Sequence, residues 1–297
     1  MQITPIIAST FRSDGGAMFG LVPKPIWSRL IPADERNTIA QNANCLLIRL
    51  TDGRVGLVDT GCGDPACHDE TFRSRHGLSE TWPLPEELDR HGVTPAEIDF
   101  VILSHLHWDH VGGVGHVDAA GACCLTFPNA VYFIHSDEWR DAQSNDPLLG
   151  QSYSREAVTL LEQIHLDCVL LVTDNAPDIL PGVRMARSGG HTKGHCAVVL
   201  RDENMTLDHA ETRDRRDVDA VIYAGDVCPT SAHLRTVFQT AYDTYPLDTR
   251  AWKRHHFPEV SRAGEMLMFC HDPEVFGATL QPDDRHEWKV ATTLPVC

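Results

Sequence analysis

The stretch Phe100-Val-Ile-Leu-Ser104-His105-Leu-His107-Trp-Asp109-His110 joins four apolar residues to a turn carrying three imidazoles and a carboxylate. The apolar half reads as a strand covered on both faces, because a short apolar run bounded by turn signals offers no polar side to solvent. The polar half makes little sense as core, since each buried nitrogen or oxygen would need its own partner. A cation satisfies them together. Imidazole nitrogen and carboxylate oxygen are the donors that a borderline metal such as zinc accepts.

Outward from this stretch, apolar runs at Cys45–Leu50, Val55–Val58, Val131–Ile134, Cys168–Val172, Cys196–Leu200, Ala220–Ala224 and Met266–Cys270 read as further buried strands. Helix signals alternate with them. Thr94-Pro95-Ala96-Glu97 supplies an N-cap, an N1 proline and a capping-box glutamate, which predicts a short helix just before the histidine-bearing strand. Ser136 and Ser154 are placed to cap two more helices, the second with Ala157, Leu160, Leu161 and Ile164 at helical spacing. Asp248 caps another, which holds Trp252. Such alternation implies an α/β layered domain, with ligands at strand ends where loops converge.

The 297 residues contain no linker rich in Pro, Gly or Ser, and read as one domain spanning 1–297. Within it, residues 1–40 read as an N-terminal strap. Its Gly15–Leu30 part, with Met18, Phe19, Trp27 and Leu30, either covers the core or walls a pocket. Residues 201–217 are charge-dense and read as a polar insertion, a solvated hairpin or a charged lid.

A net charge of −17, from 25 basic and 42 acidic residues, disfavours nucleic acid and anionic membranes as partners. The N-terminus has neither the basic nor the apolar region of a signal peptide, and no run is long enough to span a bilayer. The ten cysteines are therefore expected as thiols in a cytoplasmic protein. The expected partners are a small-molecule substrate and, at most, a second copy of the chain in a homodimer.

The His105–His110 turn resembles the His-x-His-x-Asp-His signature of the metallo-β-lactamase superfamily. The later signposts follow in that family's order: Asp59 in Val55-Gly-Leu-Val-Asp-Thr-Gly61, His195 in Gly190-His-Thr-Lys-Gly-His195, Asp226 in Val221-Ile-Tyr-Ala-Gly-Asp226, and His271 in Met268-Phe-Cys-His-Asp-Pro273. The resemblance implies a four-layer αββα sandwich of two mixed β-sheets flanked by helices. It also implies two divalent metal ions, zinc first with manganese or iron as rivals. His105, His107 and His195 would hold one, Asp109, His110 and His271 the other, and Asp226 would bridge them. His191, four residues before His195, is expected to brace the loop or lie at its surface. Asp59 would brace the histidine turn from behind. His233, on the loop after Asp226, is a candidate for substrate contact or support.

Two dications roughly 3.5–4 Å apart can share a water and lower its pKa from about 15.7 towards 7. The hydroxide would attack a carbonyl carbon while one metal polarises the carbonyl oxygen and stabilises the oxyanion. Asp109 would orient it and carry a proton to the leaving group, with Asp226 as the catalytic bridge. The expected reaction is hydrolysis of an ester-like bond (lactone, ester, thioester or phosphoester) in a small molecule. Gly225-Asp-Val-Cys-Pro-Thr230 and Phe269-Cys-His-Asp-Pro273 are similar to the lactonase and organophosphate-hydrolase-like branch. Homoserine-lactone hydrolases carry a tyrosine shortly after the bridging aspartate. Val227-Cys-Pro-Thr230 does not, leaving Tyr223 and Tyr242 as substitutes. A glyoxalase II-type thioesterase shares the His-x-His-Trp-Asp-His form but needs a basic C-terminal region. The contrasting class is a non-catalytic metal-binding or regulatory protein that retains the fold.

Overall fold

The computed structural model describes residues 1–144, 146–149, 152–174, 176–208 and 215–296. Eight strands form the first mixed sheet, in the spatial order β12 (Arg215–Asp217), β11 (Thr206–Asp208), β1 (Gln2–Asp14), β2 (Thr38–Arg49), β3 (Val55–Val58), β4 (Phe100–Ile102), β7 (Val131–His135) and β8 (Val169–Val172). Six form the second, in the order β16 (Glu287–Pro295), β15 (Val275–Asp283), β14 (Met266–Met268), β13 (Ala220–Tyr223), β10 (Cys196–Arg201) and β9 (Val183–Arg187). A small hairpin pairs β5 (Gly115–Val117) with β6 (Cys123–Leu125). The helices are α1 (Gly15–Phe19), α2 (Lys24–Trp27), α3 (Glu70–His76), α4 (Pro83–Arg90), α5 (Trp108–Val111), α6 (Ser136–Gln143), α7 (Arg155–Cys168) and α8 (Pro246–Ala263).

Strand periodicity divides the core into layers. In β2, Leu46 and Ile48 face the second sheet and meet Val198, Val221 and Met268, whereas Cys45 and Leu47 face outward onto Leu84 and Leu88 of α4. On the far side, Trp252, Phe257 and Val260 of α8 cover Ile222 and Leu267. The result is helix, sheet, sheet, helix, the four-layer sandwich that the sequence implies. β4 is buried throughout and lies between parallel neighbours, so its Phe-Val-Ile run has apolar contacts on both faces.

The eight apolar runs all fall on strands. Thr94 and Glu97 close their capping box around a single 3₁₀ turn, Pro95–Glu97. Ser154 caps α7 through Ala157 N–H at 3.2 Å. The cap of α6 is one residue earlier than expected: the His135 ring accepts from Asp137 N–H. Helix α8 starts at Pro246, which places Asp248 in its first turn, favourable for the helix dipole, rather than at the cap.

Residues 1–40 are more than a strap. Residues 2–14 form the long strand β1, paired along its length with β2. Pro5 and the polar residues around it hide the strand from a pattern search, but the sheet accommodates them. Among residues 15–30, Met18, Phe19 and Trp27 are buried against Ile39 and Phe238, so these side chains cover the core. Leu21, Ile26 and Leu30 remain exposed. The described part of the charged insertion includes β11 and β12, an antiparallel pair that extends the edge of the first sheet beside β1. Residues 209–214 of that insertion lie outside the described residues. The nine described cysteines are free thiols. Among the described residues, no helix is long and apolar enough to cross a membrane.

Candidate metal centre

Strand ends deliver the site. β3 runs into Asp59, whose backbone is left-handed (φ 58°), and this turn aims its carboxylate back across the start of the histidine loop. Oδ1 accepts from Ser104 N–H at 2.8 Å, and Oδ2 from Ser104 Oγ at 2.7 Å, His110 Nδ1 at 2.7 Å and Tyr223 OH at 3.0 Å. Asp59 therefore braces the histidine loop and fixes the ring nitrogen by which His110 faces inward. Tyr223 also donates to Asn44 O and is fully buried, so it supports Asp59 and does not reach a substrate.

Two groups of donors face each other across Asp226. His110, His271 and Asp226, with Cys270, form one; His105, His107 and His191 form the other. Asp226 Oδ1 lies 3.2 Å from His110 Nε2 and 3.1 Å from His271 Nε2. Its Oδ2 lies 3.1 Å from His191 Nε2 and 4.0 Å from His105 Nε2. Asp109, in the first turn of α5, reaches the first group through His271 Nε2 at 3.5 Å. His107 Nδ1 and His191 Nε2 are 3.0 Å apart. His271 Nδ1 is anchored on Asn42 O at 2.9 Å.

His191, not His195, joins His105 and His107 as a group of donors, although the His195 ring also packs 5.0 Å from that of His105. His191 Nδ1 is held by Asp243 Oδ1 at 2.9 Å, and its Nε2 points at the cluster. His195 uses both nitrogens elsewhere: Nε2 accepts from Asp226 N–H at 3.0 Å, and Nδ1 meets Ser188 Oγ at 2.5 Å. Gly225 makes this possible, because at its φ of 55° a Cβ would lie 2.5 Å from His195 Nε2. His195 thus supports the backbone of Asp226. The two histidines share one short loop, and only the fold shows which is free to point inward. His233 also differs from expectation. It is fully buried, bonded to Met18 O and Thr230 Oγ1, and stacked on Phe19, so it anchors the strap rather than facing a substrate.

Burial, and then the neighbouring imidazoles, push the pKa values of His105 and His107 well below the ordinary range and leave their lone pairs free. Burial pushes His110 the same way, but the Asp226 and Asp59 carboxylates outweigh it and raise its pKa. Burial opposes ionisation of Asp226, yet His191, His271 and His110 together hold its pKa well below the usual carboxylate range. His105 Nε2 is buried with no hydrogen-bond partner. An orphaned imidazole nitrogen, inward-facing ring nitrogens about 3 Å apart and an ionised carboxylate between them fit divalent cations.

Residues 39–255 match the family model described as the metallo-beta-lactamase superfamily. The chain belongs to the metallo-β-lactamase superfamily. It is accordingly a hydrolase of that fold. An N-acyl homoserine lactonase of Bacillus cereus is 27% identical over 199 residues, covering 61% of this chain and 68% of the relative. A probable metal-dependent hydrolase from Staphylococcus aureus superposes with a TM-score of 0.81 at 28% identity, over 98% of this chain and 97% of the other. AidC, a dizinc quorum-quenching lactonase, shares the fold with a TM-score of 0.71 at 18% identity, over 98% and 94% of the two chains.

Two residues around the cluster, Asp243 and Glu138, carry no motif by which the sequence reveals them, whereas Cys270 lies within the His271 motif. Asp243 reaches His191 from a loop 52 positions away. Cys270 Sγ donates to Asp226 Oδ1 at 3.1 Å. Glu138, in α6, is fully buried behind both histidine loops.

Proposed function

We propose that this chain is a dinuclear metal-dependent hydrolase that cleaves an ester-like bond (lactone, ester, thioester or phosphoester) in a small molecule. The observation that carries this reading is Asp226, whose two oxygens face two separate groups of histidines. His105, His107 and His191 would hold one metal, Asp109, His110 and His271 the other, and Asp226 would serve both. The nitrogen and oxygen donors favour zinc, with manganese or iron as rivals. Bound divalent metals supply Lewis acidity and a water ionised near neutral pH.

The chain's own residues do the rest. Asp59 and Asp243 accept from the outward nitrogens of His110 and His191, which fixes the ring orientation and aims the inward nitrogens at the cluster. Asn42 O does the same for His271. Asp109 sits at the edge of the cluster and retains some exposure, so its carboxylate is placed to take a proton from an attacking water and pass it to a leaving alkoxide or thiolate. Phe11 and Trp108 pack edge to face beside His271 and shield that side of the site from solvent.

The lactonase relative makes acylated lactones the first substrates to assay. Val227 to Thr230 lack the tyrosine that such enzymes carry, so a panel is needed. Elemental analysis with turnover on an acyl homoserine lactone, an aryl ester, a thioester and a phosphotriester tests the reading. Two metals per chain and chelator-sensitive hydrolysis are expected. Full metal loading with no turnover across the panel would favour a binding or regulatory protein.

A further inference from the structure

Glu138 is a carboxylate behind the His105–His107–His191 group, and its hydrogen bonds go to the loops that carry those histidines, not to the rings themselves. Its Oε1 accepts from the backbone N–H of Leu106, the residue between His105 and His107, at 2.9 Å. Its Oε2 accepts from Thr192 Oγ1, next to His191, at 2.5 Å. The Tyr153 phenol faces the same carboxyl group, and burial together with Glu138 keeps that phenol protonated. Tyr153 in turn forms a backbone bridge with His107, and their rings lie 5.2 Å apart. Gly194 lets the two loops close on α6, since a Cβ there would sit 2.1 Å from Glu138 N.

A fully buried carboxylate is costly unless its position serves a purpose. Among the described residues no Lys or Arg pairs with Glu138, and burial pushes its pKa up to about 7. It accepts two hydrogen bonds, from Leu106 N–H and Thr192 Oγ1, and the two segments that donate them meet only in the fold and bear the histidines of one group. We propose that Glu138 is a positioning residue that sets the spacing between the His105–His107 loop and the His191 loop, and so fixes the affinity of one metal position without touching the metal. This inference rests on the metal-holding reading above but not on the reaction. A carboxylate that merely filled space would affect both metal positions or neither. A clamp between these two loops affects the His105–His107–His191 position alone.

The test is stepwise zinc binding to metal-free protein by competition with a chromophoric chelator, with circular dichroism to confirm the fold. Outer partners of ligands commonly contribute about 10–100-fold in metal affinity. E138A should weaken one of the two binding steps by about that factor and change the other less than about threefold. E138Q keeps the shape and one acceptor, and should restore most of the loss. T192V deletes only the hydroxyl tie to the His191 loop and should weaken the same step by about tenfold. Wild-type binding of both metals by folded T192V would overturn the proposal, even if E138A fails to fold. Equal loss at both steps in E138A and E138Q would overturn it as well. A metal-loaded wild-type protein that hydrolyses nothing would sink the hydrolase reading and leave this inference standing.

Discussion

Replacing His191 and His195 by alanine, one at a time, separates two side chains that share a loop and differ in role. His191 presents Nε2 to the cluster 3.0 Å from His107 Nδ1 and 3.1 Å from Asp226 Oδ2. His195 is committed to Asp226 N–H and Ser188 Oγ. A closed zinc site contributes about 10–16 kcal/mol, so one ligand in four is worth about 3 kcal/mol, or about 100-fold in affinity. H191A should therefore hold one tightly bound metal per chain in place of two, with its fold intact. H195A removes no ligand but leaves a buried Asp226 N–H unpaired and a cavity behind it, a cost of about 2–4 kcal/mol. At roughly 2–4 °C per kcal/mol for a chain of this size, H195A should lower Tm by about 5–15 °C. It should still bind two metals. Elemental analysis after gel filtration and calorimetric melting decide the matter. Loss of a metal from H195A with two retained in H191A would refute the assignment and restore His195 as the ligand.

Other outcomes follow from the same contacts. D243N, which removes the anionic partner of His191 Nδ1, should weaken metal binding by about tenfold without unfolding the protein, read by chelator competition. D59N sets an amide N–H₂ against an oxygen position crowded by donors from Ser104, His110 and Tyr223, and should cost about 10–100-fold in metal affinity, measured the same way. Burial and the nearby Lys253 push the pKa of His233 down to about 3. In the unfolded chain it is about 6.5, so unfolding takes up a proton between these values. The stability tied to a neutral His233 is complete above about pH 6.5 and is lost as pH falls from there towards about 3, by a few kcal/mol. Urea titrations of metal-free wild type and H233Q should therefore converge as pH falls across that range, and parallel curves would show that His233 does not titrate this way.

How much of this was legible in the sequence depended on whether the signal was local. The layered fold was readable because buried strands announce themselves as short apolar runs, and all eight runs are strands. β1 was not, because Pro5, Thr4 and Ser9 interrupt the pattern, and only its pairing with β2 reveals it. His105, His107, Asp109 and His110 sit on one turn, where residue type and spacing suffice. Asp226 and His271 stand at strand ends, and the fold brings them to that turn. The choice between His191 and His195 needed three dimensions, since it depends on which ring Asp243 orients and which ring Asp226 N–H occupies. His233 looked like a site residue because it follows Asp226, yet the loop turns it under Phe19. Glu138 and Asp243 had no local signature at all, because their partners lie dozens of residues away.

The most direct measurement is a crystal structure of zinc-loaded protein with anomalous data collected at the zinc edge. The proposed dinuclear centre gives two peaks roughly 3.5–4 Å apart that share Asp226, with His191 on one and His271 on the other. A single peak, or a peak bound by His195 while His191 stays free, would contradict it.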